Sequence, residues 1–220
     1  MTNPRDTSRR DFLAAAALGI VSLAGGAKSL SGEESNVDGE LLYVGTYTDD
    51  GRSRGIYLVR MDTRTGQLNI VGSSEAGANP SFLAIHPEGR VLYAVNEVAK
   101  FKGKPSGGVS AFAIAPDTGA LRALGSQLSE GTGPCYVSTD KTGRVVLVAN
   151  YDSGTVALLP VGTNGSFGSA TSVIKHVGSG PIADSQKEPH AHCIVADPSN
   201  RFALAADLGA DRVFVYRLDL

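Results

Sequence analysis

The chain has no tryptophan, two cysteines and four histidines in 220 residues. Two cysteines are too few for a disulfide-stapled scaffold, and without a CxxC pair they supply no thiolate metal site. Cys135 and Cys193 lie inside apolar runs and read as small buried hydrophobes. A bridge between them would need Cα atoms within about 7 Å. Charge of either sign is also in short supply. The formal net charge is −2 and 19% of residues are charged, which leaves no footprint for nucleic acid or an anionic membrane. Beyond the first 27 residues no stretch carries the 3.6-residue apolar period of a long amphipathic helix, which excludes an array of helix pairs. No cofactor motif is present. "GKPSGG", Gly103 to Gly108, lacks the spacing of a phosphate-binding P-loop and reads as a flexible hairpin loop.

What the chain does have is glycine, 27 residues, set between many short apolar runs. That combination describes turn-rich β structure.

The amino terminus is organised differently. Arg9 and Arg10 precede Asp11, Phe12 and Leu13, and an uncharged run of small and apolar residues, Ala14 to Ala27, follows. The segment Ser8-Arg9-Arg10-Asp11-Phe12-Leu13 resembles a twin-arginine (Tat) export signal: a charged start, a short apolar stretch, then small residues. The run is too short and too rich in Gly and Ala for a membrane span of about 20 strongly apolar residues. Residues 1–27 are therefore expected to be a signal peptide, 28–40 a disordered lead, and 41–220 the folded part. The expected location is periplasmic or extracellular, with the Tat machinery as a transient partner and no membrane attachment after cleavage.

The folded part repeats. "NPSFLAIHPEGRVLYAVNEV" from Asn79, "GPCYVSTDKTGRVVLVANYD" from Gly133 and "AHCIVADPSNRFALAADLGA" from Ala191 align without gaps in their cores. Each holds a short apolar strand, a polar turn, an arginine (Arg90, Arg144, Arg201) and a second apolar strand. That strand ends six residues after the arginine, at Asn96, Asn150 or Asp207. A third strand follows each time, and a fourth in the first two repeats. The spacing is 54 residues and then 57. Four short antiparallel strands per unit of about 50 residues make a β-propeller blade. The segment before the first repeat, from Leu41, supplies strands two, three and four of a blade with no strand one. The expected fold is all-β: a β-propeller of which about three and a half blades are present, in a chain that stops in mid-blade.

The segments "LLYVGTYTDDGRSRGIYLVRMDTRTGQL", "ANPSFLAIHPEGRVLYAVNEV" and "EPHAHCIVADPSNRFALAADLGADRVFVYRLD" together resemble the seven-bladed β-propeller lactonase family, whose members include propeller-type 6-phosphogluconolactonase and carboxy-cis,cis-muconate cyclase. The likeness runs from Leu41 to Leu220. It implies seven blades, of which about three are absent from this chain. It also implies a catalytic histidine in the PHxH segment, His192 or else His190, assisted by an Arg and a Glu of a later blade beyond residue 220. Asn96-Glu97 forms a similar pair one blade too early.

The repeat supports His192 independently. Nine residues before the aligned arginines stand Ser81, Cys135 and His192. Equivalent positions of successive blades face the same axis, so His192 is expected on the central channel and His190 nearer one mouth. Imidazole, with an unperturbed pKa of about 6.5, suits the activation of water for lactone opening. A metal site of His190 and His192 with Asp184 or Asp207 has no evident third ligand, so neither metal nor cofactor is expected. Glu97 and Tyr151 follow the second strands and are expected to line a channel mouth. Asn96, Asn150 and Asp207 end those strands. They are open to two readings, contacts to a substrate or bonds across the turns between blades. Thr46 and Tyr47, in "GTYT", hold the equivalent place in blade one.

The function expected is a hydrolase opening a sugar lactone by His-assisted water attack, with a small lactone or sugar acid as ligand. The rivals are a muconate-type lactone cyclase and a non-catalytic exported binding propeller. Export favours an unphosphorylated lactone, because 6-phosphogluconolactone is made inside the cell.

Overall fold

The computed structural model describes residues 21–22 and 39–220, and every regular element in them is a strand. The twin-arginine segment and most of the following lead lie outside the described residues.

Four antiparallel sheets follow one another along the chain. Blade one holds β1 (Val21–Ser22), β2 (Gly39–Val44), β3 (Ile56–Asp62) and β4 (Leu68–Ser74). Blade two holds β5 (Leu83–Ile85), β6 (Val91–Asn96), β7 (Gly108–Ile114) and β8 (Leu121–Leu128). Blade three holds β9 (Pro134–Thr139), β10 (Val145–Asn150), β11 (Thr155–Pro160) and β12 (Ser172–Lys175). Blade four has three strands, β13 (Ala191–Ala196), β14 (Phe202–Asp207) and β15 (Arg212–Arg217). The first strands of neighbouring sheets, β1, β5, β9 and β13, approach one another around a common centre, while β4 and β12 lie at the exposed rim. This is the radial arrangement of a propeller.

Two boundaries depart from the sequence reading. Blade one has an inner strand, because Val21 and Ser22 pair with Tyr43 and Leu42. The open edge of β2 offers unpaired backbone groups, and a two-residue stretch suffices to meet some of them. Gly39 and Glu40, placed in the lead, are the first residues of β2, where they pair with Asp62 and Met61. A glycine and a charge obscure a strand that backbone pairing nevertheless continues.

Strand two of each blade explains the cohesion. All six residues of β6 and of β10 are buried. Side chains alternate across a strand, so each serves two interfaces. Leu92 and Ala94 pack with Tyr43 and Ile56 of blade one. Val91, Tyr93 and Val95 pack with Val137, Val146 and Val148 of blade three. Leu147 and Ala149 in turn meet Ile194, Ala203 and Ala205 of blade four. A strand covered on both faces needs a continuous apolar run, which is why "VLYAV" and "VVLVA" show no polar alternation. Each such Val or Leu contributes roughly 1.5–3 kcal/mol by burial.

The turns after the inner strands are tied by carboxylates. Asp140 accepts from the backbone N–H groups of Thr142 (2.8 Å) and Val145 (2.9 Å), and from Asn200 Nδ2 of blade four (2.9 Å). Asp197 closes the corresponding turn by accepting from Ser199, Arg201 and Phe202.

Candidate active-site cleft

The repeat places one backbone bond in the same position three times. The residue after strand two donates its N–H to a residue just ahead of the inner strand: Glu97 to Asn79 (3.0 Å), Tyr151 to Gly133 (2.7 Å) and Leu208 to His190 (2.9 Å). These bonds bring the end of strand two beside the start of strand one in each blade. The side chains two residues further on, at Ser81, Cys135 and His192, then share one cleft with Glu97, Tyr151 and Leu208. Tyr47 and Phe82 complete its wall, and its volume is about 410 Å³.

The blade-one side of the cleft is held by Asn79, which adopts φ 47°. Its Oδ1 accepts from Thr48 N (2.8 Å), and its Nδ2 donates to Asp49 Oδ2 (2.7 Å) and Glu97 O (3.1 Å). The asparagine side chain thus ties the GTYT loop of blade one to the Asn96-Glu97 corner of blade two. Tyr47 Oη donates to Glu97 Oε2 at 2.9 Å as a result, and Ser81 Oγ donates to the same oxygen. Burial, reinforced by the Glu97 contact, pushes Tyr47 up to about 12, so its hydroxyl stays a donor at neutral pH.

On the other side stand the histidines. His192, on β13, is exposed into the cleft and lies edge-on to Tyr151, with ring centroids 5.6 Å apart. Its ring nitrogens bond no described residue, which leaves them open to water or a ligand. His190 is placed differently. The pairing of β13 with β14 begins at Ala191 and carries a bulge before Cys193, so His190 lies ahead of the strand. Its ring stacks on Tyr151 at 4.5 Å, its Nδ1 donates to Tyr151 O at 3.1 Å, and its N–H donates to Asp207 Oδ1 at 2.8 Å. It is the counterpart of Asn79 and Gly133, and it braces Tyr151. Gly209 packs against this corner, where a side chain would run into the Glu188 carbonyl and the His190 ring.

Asn96, Asn150 and Asp207 are buried and do not line the cleft. Asn96 Nδ2 donates to Ala76 O (2.9 Å) and Ala78 O (3.0 Å), while Asn150 Nδ2 donates to Ser129 O (2.9 Å). Asp207 Oδ2 accepts from His176 Nδ1 at 2.6 Å. All three thus make bonds of the kind expected across the turns between strands and blades. Sequence reading passed over His176 altogether, since nothing in the strand-end sequence "IKHV" ties it to a carboxylate in the next blade.

Cys135 points into the cleft, but burial, with the nearby Glu97 charge, pushes its thiol up to about 12. A thiol so rarely ionised is a poor nucleophile. It donates weakly to Ala191 O and His192 O, both at 3.6 Å, and so links β9 to β13. Both cysteines are free thiols. Among the described residues no three His, Cys, Asp or Glu side chains are grouped to hold a metal ion. His192, Glu97 and Tyr151 line one cleft, and what it can offer is a free imidazole, an oriented carboxylate and aromatic faces.

Comparison with known proteins agrees with this fold. The chain is 38% identical to 6-phosphogluconolactonase of Bacillus subtilis (strain 168) over 176 residues, 80% of this chain and 48% of that one. A crystal structure of a protein from Bacteroides fragilis NCTC 9343 superposes with a TM-score of 0.76 at 37% identity, over 85% of this chain and 51% of that one. The periplasmic gluconolactonase PpgL of Pseudomonas aeruginosa superposes with a TM-score of 0.73 at 35% identity, over 80% of this chain and 49% of that one. The chain thus spans about half the length of the curated relatives it matches. The model of the family described as Lactonase, 7-bladed beta-propeller matches residues 41–220, and to that family the chain belongs.

Proposed function

We propose that the protein is a lactone hydrolase that opens a sugar lactone, with His192 as its proton-transfer group. The observation that carries this reading is the cleft in which His192, unbonded and exposed, faces the same space as Glu97 and Tyr151. Water attacks the lactone carbonyl while imidazole takes its proton. The ring C–O bond then breaks, the proton passes to the departing ring oxygen, and the hydroxy acid leaves. Histidine titrates near neutral pH, as such a role requires. The names carried by the Bacillus and Pseudomonas relatives support a sugar lactone as substrate class. The second of them, together with the twin-arginine segment, supports a periplasmic location.

The test is turnover of a panel of sugar lactones by the product of the complete gene, with His192→Gln and His190→Gln beside it. His192→Gln is expected to lower kcat by about 10²–10⁴-fold, the usual contribution of general acid–base catalysis, at an unchanged melting temperature. His190→Gln is expected to act mainly on KM, because it frees the Tyr151 ring. Near-normal turnover by the His192 variant would overturn the assignment. Cyclisation of a muconate without hydrolysis of sugar lactones would indicate the cyclase, and ligand binding without turnover a binding propeller.

A further inference from the structure

The cleft holds a second constellation, opposite in chemistry to His192. Glu97 Oε2 receives two hydroxyl donors, Tyr47 Oη from blade one and Ser81 Oγ from blade two. An oxygen with two donors is fully engaged, and the pair fixes the plane of the carboxylate. Oε1 has no partner among the described residues, and Glu97 lines the open cleft. A fixed carboxylate with one free oxygen is an acceptor that waits for a donor. The donors that fit are hydroxyl groups. Phosphate, which carries charge and accepts hydrogen bonds, calls for Arg or Lys and is repelled by a carboxylate.

We propose that Tyr47, Glu97 and Ser81 form a subsite for sugar hydroxyl groups, and that it sets a preference for an uncharged polyhydroxy lactone over a phosphorylated one. This rests on the lactonase reading above for the reaction, though not for the binding of hydroxyl groups.

The experiment uses the product of the complete gene. Initial rates on glucono-δ-lactone and on 6-phosphogluconolactone are compared for wild type, Glu97→Gln and Tyr47→Phe. Glu97→Gln replaces a charged acceptor by an amide of the same shape. It is expected to raise KM for the uncharged lactone about tenfold and to lower the preference for it over the phosphorylated one by at least as much. Tyr47→Phe removes one orienting hydroxyl and keeps the ring. It is expected to move the same ratio in the same direction by about threefold. An unchanged ratio in both variants would overturn the proposal, as would a wild type that prefers the phosphorylated lactone. If the wild type opens no lactone, the lactonase reading fails and the subsite is decided by NMR titration with sorbitol. Shifts at the cleft in wild type that vanish in Glu97→Gln would uphold it. Equal shifts in both, or none in wild type, would refute it.

Discussion

His176 and Asp207 form a hydrogen-bonded pair with no solvent exposure. Nδ1 lies 2.6 Å from Oδ2, and both side chains are completely buried. His176 follows the last strand of blade three, and its ring stacks on Phe214 of blade four with centroids 4.0 Å apart. The other oxygen of Asp207 accepts from Ala210 N (2.7 Å) and His190 N (2.8 Å). One carboxylate therefore joins two blades and fixes the backbone of the PHxH segment. Asp207→Ala leaves a buried imidazole without its partner and two N–H groups without an acceptor. The expected loss is about 3–5 kcal/mol, read as a lower denaturant midpoint. A midpoint within error of wild type would show that the pair contributes nothing net.

The same carboxylate predicts the acid limit of the fold. Burial pushes Asp207 up, but the Ala210 N–H, His176 and the His190 N–H outweigh it and hold it below the ordinary aspartate range. Asp140 behaves alike: burial raises it, and bonds from Thr142, Asn200 and the Val145 backbone bring it down. A carboxyl whose pKa is depressed by folding stabilises the protein above its unfolded pKa of about 3.9 and loses that contribution as pH falls through the folded value. The contribution of these two carboxyls is therefore expected to be complete above about pH 5 and to decline below about 4. In Asp207→Asn the decline should be shallower, as measured by urea unfolding across that range.

Residues 41–220 expressed alone are expected to self-associate. Val213 and Val215 on β15 are 60% and 62% exposed, and Phe202 of β14 lies exposed beside them. In blades two and three the corresponding faces are covered by a neighbour. An uncovered apolar sheet face with an open strand edge recruits other chains. Size-exclusion chromatography with light scattering should show oligomers that Val215→Lys reduces. A compact monomer with a sharp thermal transition would refute this.

Export is expected to depend on Arg9 and Arg10. Replacing both by Lys in a reporter fusion should leave the reporter in the cytoplasm, detected by fractionation. Unchanged export would mean that these arginines are not a Tat signal.

The propeller was legible because blade packing imposes its own pattern. β6 and β10 must be apolar on both faces, and their equal distance from Arg90 and Arg144 shows that the units repeat. The facing of His192 was legible for the same reason, since Ser81 and Cys135 mark its register in earlier blades. The place of His190 was not. A bulge between Ala191 and Cys193 breaks the alternation that would have put both histidines on one face of a strand.

By itself the sequence determined the strands of blades two to four, the repeat length and the inward register of Ser81, Cys135 and His192, because these follow from period-two alternation and local turn chemistry. Tertiary structure alone decided the pairings between blades. Tyr47 meets Glu97 across 50 residues, and His176 meets Asp207 across 31. Neither pair has a local signature, since each depends on how two sheets twist and pack. That packing sets Glu97 in the cleft and buries Asn96, one residue earlier, beneath it.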